Sequence, residues 1–286
     1  MRNHAWKAVA LVALGLAAHA AAASAATLKE HFEQTCPLPA GGALSLSNVN
    51  GGVTVTAWDR NEVRVTAEKR VKAGTEDRAR KLMAALKVEV AQNPGEVRIV
   101  TRYPHHDDGF WSWLSGDSGS TGVEYRLEVP RSVKLSLETV NGGIEVRGTA
   151  GDAHLETTNG QIVIAGIRGK INLETTNGSI KASGVAGSVA ADTTNGGIDV
   201  HLTEVTRGAV MKFSTTNGGI TVRLPKDIQT SVHASTTNGG VETDLPITVR
   251  GKVNRRRLDG DINGGGGRLD LETTNGVIHL LESGGR

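Results

Sequence analysis

LETTNG, residues 155–160, returns at 173–178 and 271–276, with ADTTNG at 191–196, FSTTNG at 213–218 and ASTTNG at 234–239. Counted on the Asn of each corner, Asn141, Asn159, Asn177 and Asn195 stand 18 residues apart. Asn217 and Asn238 follow at 22 and 21, Asn275 closes the series, and an earlier copy sits at Asn50. A fixed period of this length marks a repeat architecture, in which each unit buries its apolar face against its neighbours.

Reading outward from each Asn shows what the unit is. Three positions later stand Val53, Ile144, Ile162, Ile180, Ile198, Ile220, Val241 and Ile278. Four positions earlier stand Leu46, Leu137, Leu155, Leu173, Ala191, Phe213, Ala234 and Leu271; six earlier, Leu44, Leu135, Ala153, Ile171, Val189, Met211, Val232 and Leu269. All are apolar and the residues between are mostly polar, the alternation of half-buried strands. Each repeat therefore reads strand, minor turn, strand, Asn-Gly corner, and the Asn-Gly pair suggests a corner with positive φ. An antiparallel meander would also use such corners, but it would leave one long apolar face uncovered. Winding the chain lets two strands of each coil bury that face, so the expected fold is all-β: a single-stranded parallel β-helix, or β-solenoid, of ~18–22-residue coils.

Around this frame the expected layout is a signal peptide over 1–25, a lead-in over 26–43, irregular coils over 44–140 and the regular TTNG repeats over 141–286. The signal rests on Arg2, His4 and Lys7, an apolar run from Ala8 to Ala18, and Ala23-Ser24-Ala25 before a cleavage ahead of Ala26. The apolar run is shorter than the ~20 residues of a membrane span, and no second run follows, so the exported chain is expected to lack a transmembrane segment and to reside in the periplasm, at the cell surface or outside. Two insertions replace corners. Residues 68–87 hold a short helix capped by Thr75, and residues 104–122 form an aromatic loop.

The sequence from SNVNGGVTVTAWD, through the TTNG series, to VETDLPITVRGKVNRRRLDGDINGGGGRLDLETTNGVIHL resembles the exported β-strand-repeat proteins that carry the name adhesin, a family of unknown function. The resemblance covers the chain from about Leu44 onward. It implies a β-solenoid at the envelope or surface and carries over no catalytic residue.

Composition narrows the function further. The chain has 286 residues, with 37 glycines and only nine aromatics. Its 32 basic residues fall to 30 once Arg2 and Lys7 are removed, against 30 acidic ones. A near-neutral chain is not a nucleic-acid binder, and Arg255-Arg256-Arg257 reads as a solvated corner. Cys36, the only cysteine, cannot close an internal disulfide and reads as a small buried thiol.

The outward rows hold the carboxylates. Glu138, Glu156, Glu174 and Asp192 would stack ~4.8 Å apart, a column that calcium could relieve. EF-hand and RTX patterns are absent, and the expected reading is side chains splayed toward water and nearby cations such as Arg147 and Lys181, with no metal and no cofactor. The inward Thr157, Thr175, Thr193, Thr215, Thr236 and Thr273 are expected to bond corner backbone groups. His105, His106, Asp107 and Asp108 lack further ligands at metal-binding spacing. No GxSxG, HExxH or CxxC motif is present, so the chain reads as a non-catalytic scaffold that contacts an envelope or surface component, protein or glycan. A β-helix glycan hydrolase or lyase is the alternative. Phe110, Trp111 and Trp113 are the candidate contact residues, or else a cap over the end of the stack.

Overall fold

A computed structural model of the chain describes residues 26–103, 119–250 and 254–284. They form an all-β structure with one helix, its strands joined in two ladders. Across the first ladder the order is β5 (Lys87–Asn93), β6 (Glu96–Arg102), β2 (Gly42–Ser47), β8 (Val133–Asn141), β10 (Ala153–Asn159) and β12 (Arg168–Asn177). It continues through the second half of β13 (Ile180–Asn195) to β15 (Val210–Asn217), β21 (Gly267–Asn275), β17 (Thr230–Asn238), β20 (Arg257–Ile262) and β19 (Ile247–Val249). The second ladder begins with β1 (Ala26–Pro37), β4 (Glu62–Ala73), β7 (Ser120–Pro130), β3 (Val53–Trp58), β9 (Ile144–Arg147) and β11 (Ile162–Ala165). After the first half of β13 come β14 (Ile198–Val205), β16 (Ile220–Leu224), β22 (Ile278–Glu282) and β18 (Val241–Thr243).

Pairing within the repeats is parallel and in register: Leu137, Leu155 and Leu173 lie side by side, as do Ile144, Ile162 and Ile180. All three apolar columns face inward, and every member is buried except Val241, which is half-buried. In the column four before the corner, Phe213 adjoins Ala191, a large ring beside a methyl, as interdigitated cores require.

Antiparallel strands close both ladders at one end of the parallel region and the first ladder at the other, where the second ladder ends on β18, parallel to β22. At one end β4 pairs with β7, β1 with β4 and β5 with β6. At the other, β20 pairs with β17 and β19 with β20. A short or charged edge discourages further pairing. Here β18 and β19 have three residues each, and β1 carries Lys29, Glu30 and Glu33. The helix α1 (Glu76–Ala85) packs against β1 and β4 through buried Ala79 and Met83. Thr75 caps it, its Oγ1 accepting the Arg78 N–H at 3.3 Å, with Glu76 and Asp77 in the first turn. The helix is shorter than the inserted stretch 68–87, because β4 runs on through Ala73 against β1.

Two findings differ from the reading of the sequence. The repeats do not stack in chain order. The last one, β21–β22, lies between β15–β16 and β17–β18, and β2–β3 lies between β6–β7 and β8–β9. Nor do seven of the eight Asn-Gly corners use a positive φ: Gly142, Gly160, Gly178, Gly196, Gly218, Gly239 and Gly276 lie outside that region, and only Gly51, at φ +122°, adopts it. Close approach is what excludes a side chain there. A Cβ on Gly160 would sit 2.0 Å from the Gly142 carbonyl oxygen, and one on Gly178 would sit 1.8 Å from that of Gly160.

Candidate functional site

The corner column is the most regular feature of the surface. At each junction the Asn side chain donates through Nδ2 to the Oδ1 of the neighbouring Asn: Asn141 to Asn50 at 2.7 Å, Asn159 to Asn141 at 2.9 Å, Asn177 to Asn159 and Asn195 to Asn177 at 2.8 Å. The row continues through Asn217 and Asn275 at 2.8 Å to Asn238 at 2.9 Å. All seven amides point one way, so each bond polarises the next. Beneath them the buried threonines donate to corner carbonyls, Thr157 to Gly142 at 2.8 Å, Thr175 to Gly160 at 3.0 Å and Thr193 to Gly178 at 2.9 Å. Thr139, Thr215, Thr273 and Thr236 repeat the contact on Gly51, Gly196, Gly218 and Gly276. Replacing Thr175 by Val keeps the shape and leaves the Gly160 carbonyl without its hydroxyl, and a loss of about 1–2 kcal/mol is expected in urea unfolding.

The column is closed at each end. Tyr103, in the place of a corner, donates to Asn48 Oδ1 at 2.7 Å and accepts the Asn50 N–H at 2.9 Å. Beside it Tyr125 is buried and bonded to Thr101 at 2.7 Å; burial pushes its phenol up to about 12, so it stays neutral. At the other end the carbonyls of Arg255 and Arg256 accept from Val241 and Thr236 at 2.8 and 2.9 Å. The arginine run read as a solvated corner thus covers the last junction with its backbone while its side chains stay exposed.

The acidic column follows the spatial order of repeats. Glu138, Glu156, Glu174 and Asp192 are neighbours, and Ser214 then separates Asp192 from Glu272. Their partners are local: His154 lies 3.7 Å from Glu156, Asn172 donates to Glu174 at 2.6 Å, and Ser214 donates to Asp192. Arg147, read as a counter-ion for the column, pairs with Glu145 instead. Among the described residues no group of three or more His, Cys, Asp or Glu is placed to hold a metal ion. Cys36 is buried near the end of β1, its sulfur accepting from Gln34 Nε2 at 3.4 Å. Phe110, Trp111, Trp113 and the His105–Asp108 run lie outside the described residues.

Charge concentrates at the closing strands. Asp259 meets Arg257 at 2.6 Å and His233 at 2.5 Å, and Asp261 accepts from Ser231 at 2.7 Å and pairs with Arg250. Arg257 first, then His233, holds Asp259 below the ordinary carboxylate value of 3.8; the Ser231 hydroxyl and then Arg250 do so for Asp261. A depressed folded value means stability present above 3.8 and lost as pH falls through the folded values. Acidification below 3.8 is therefore expected to lower the hydrogen-exchange protection factors of β19 and β20 before those of the central repeats.

Arg168, Lys170 and Arg207, none singled out in the sequence, line a cleft beside the turn after β14. The visible trace of it is the step in period from 18 to 22 residues. No helix of the described residues is long and apolar enough to cross a membrane.

Three solved structures are among those to which the chain is similar. A candidate adhesin from Bacteroides fragilis aligns at 12% identity over 89% of this chain and 97% of its own, with TM-score 0.48. A candidate cell adhesion protein from Clostridium sporogenes aligns at 12% over 89% and 100%, TM-score 0.38. A candidate lipid-binding protein from Parabacteroides distasonis aligns at 10% over 88% and 96%, TM-score 0.31. At these identities and scores their names transfer no function. No curated protein matches the chain. The Toastrack DUF4097 family model matches residues 43–281, and the chain belongs to that family.

Proposed function

We propose that the chain is a non-catalytic, exported scaffold of the cell envelope or surface, acting through contact with an envelope protein or glycan. One observation carries the reading: in each TTNG corner the first Thr, the Asn and the Gly are engaged in stacking, and the second Thr is exposed. Asn bonds Asn, Thr bonds the neighbouring corner carbonyl, and Gly admits the close approach. The repetition thus supports architecture, leaving faces and insertions for function. The in-register parallel ladders and 18-residue offsets support reading that architecture as a single-stranded parallel β-helix.

The same proposal takes 1–25 as a cleaved signal, 26–43 as the lead-in, 44–140 as irregular repeats and 141–286 as the regular repeats. The mass of the exported protein tests the cleavage point. The aromatic insertion 104–122 is taken as a contact or end-covering group. A Trp111→Ser, Trp113→Ser double variant, followed by melting and by capture from envelope extract, separates the two roles. The whole reading is tested by incubating the protein with labelled peptidoglycan and polysaccharides. Retention without cleavage is expected; turnover would establish a glycan hydrolase or lyase in its place.

A further inference from the structure

The repeat ending at Asn217 is four residues longer than those before it, and the surplus is Thr206–Ala209, since Val205 still pairs with Gly187. Thr206–Gly208 form a turn closed by the Ala209 N–H on the Thr206 carbonyl at 3.0 Å, with Gly208 at φ +74°. The turn stands as a ridge between two clefts. The larger, of about 530 Å³, has Gly169 and Gly187 in its lining together with Arg168, Lys170, Ser188 and Arg207. These glycines lie on adjacent strands, so closely stacked that a Cβ on Gly187 would meet the Gly169 oxygen at 2.2 Å. The floor is therefore bare backbone.

The charges in this cleft do not balance. Glu204 takes Arg168 at 2.9 Å. Lys170 and Arg207 are exposed and have no ion-pair partner among the described residues. Asp152, just before β10, accepts the Lys170 backbone N–H at 3.1 Å. The smaller cleft across the ridge has Asp227 as well as Glu204 and Arg207 in its lining. Next to the basic cleft, Val210 is 63% exposed and its carbonyl accepts from Ser188 Oγ at 3.0 Å. Two free cations, hydroxyls, a flat backbone floor and an exposed aliphatic side chain suit a ligand that is both charged and ring-faced. A guanidinium pairs a carboxylate through two N–H groups, and an ammonium adds a point charge. The C–H face of a sugar ring fits the valine and the glycine floor.

We propose that this cleft binds an anionic glycan of the uronic-acid type, its carboxylates meeting Lys170 and Arg207 and a ring lying over Gly169 and Gly187. The proposal rests on the scaffold reading and names the class of its partner. The test is titration of the purified protein with fluorescent oligogalacturonate, a glycerol-phosphate polymer and neutral maltodextrin. Saturable binding of oligogalacturonate is expected, weakened by salt and absent for maltodextrin. Lys170→Glu with Arg207→Glu should weaken it at least about tenfold at unchanged melting temperature. Arg98→Glu with Lys181→Glu, the same change of charge on other strands, should leave it intact. Failure of oligogalacturonate to bind, or equal loss in both double variants, overturns the site. Binding of the phosphate polymer alone overturns the carboxylate assignment. An envelope capture that survives in the Lys170→Glu, Arg207→Glu variant would sink the cleft and leave the scaffold reading standing, whereas cleavage of the oligosaccharide would sink the scaffold.

Discussion

Truncation after Gly266 is expected to unfold the protein, although it removes only the last repeat of the sequence. That repeat is an interior rung, with β21 between β15 and β17 and β22 between β16 and β18. The deletion takes away Leu269, Leu271, Ile278 and Leu280, all fully buried. At roughly 1.5–3 kcal/mol for each such side chain the loss is roughly 6–12 kcal/mol, comparable with the about 5–15 kcal/mol that holds a typical domain. It also leaves β15 and β17 two strand spacings apart, ~9–10 Å, beyond hydrogen-bonding distance. The asparagine row is cut between Asn217 and Asn238. Far-UV circular dichroism with thermal melting reads the outcome. A truncated protein that kept most of its melting temperature would mean that the repeats stack in chain order, the last one terminal.

The second large effect is expected from a single methyl group. Gly178→Ala places a Cβ 1.8 Å from the Gly160 oxygen and 2.6 Å from its carbonyl carbon. Backbone cannot swing aside as a side chain does, so the repeats must separate locally. Separation strains three bonds at that junction: Thr175 Oγ1 to the Gly160 oxygen, Asn177 Nδ2 to Asn159, and the Gly160 N–H to the Asn177 carbonyl at 3.1 Å. Overpacking in a close-packed interior costs about 1–3 kcal/mol and each disrupted bond about 1 kcal/mol, so about 4 kcal/mol or more is expected. Gly166→Ala is the control. Gly166 has φ +63° with nothing within 4 Å of its would-be Cβ, so only the left-handed strain of about 1–2 kcal/mol applies. Chemical denaturation of the two variants decides the matter: equal losses would mean that conformation, and not close approach, selects the corner glycine.

That pair of glycines also shows what the sequence could and could not reveal. Alternation along strands is written in side-chain identity, so the three apolar columns and the inward threonines were legible residue by residue. The role of Gly178 was not, because a positive φ and a close backbone contact both select glycine. Stacking order was hidden for a related reason. Asn195, Asn217, Asn238 and Asn275 belong to near-identical corners that would pair equally well in any order. The antiparallel strand β1 escaped notice because it is an edge: Leu28, Phe32 and Cys36 fall every fourth residue, and only Cys36 is fully buried. The basic cleft was equally obscure, since Lys170 and Arg207 stand 37 positions apart and meet only because two repeats stack.

The placement of β21–β22 also limits how such a chain can grow. A gene lengthens most simply by copying a repeat onto its end, but here both edges of β21 are already occupied, by β15 and β17. An extra copy added after Glu282 would find both edges of β21 and both edges of β22 taken. The same holds at the start, where β2 is flanked by β6 and β8. Duplication within the 18-residue series from Asn141 to Asn195 meets no such obstacle, because each copy there enters between neighbours of identical register. Length variation among relatives built this way belongs in the middle of the gene, with the two ends kept as fixed closures.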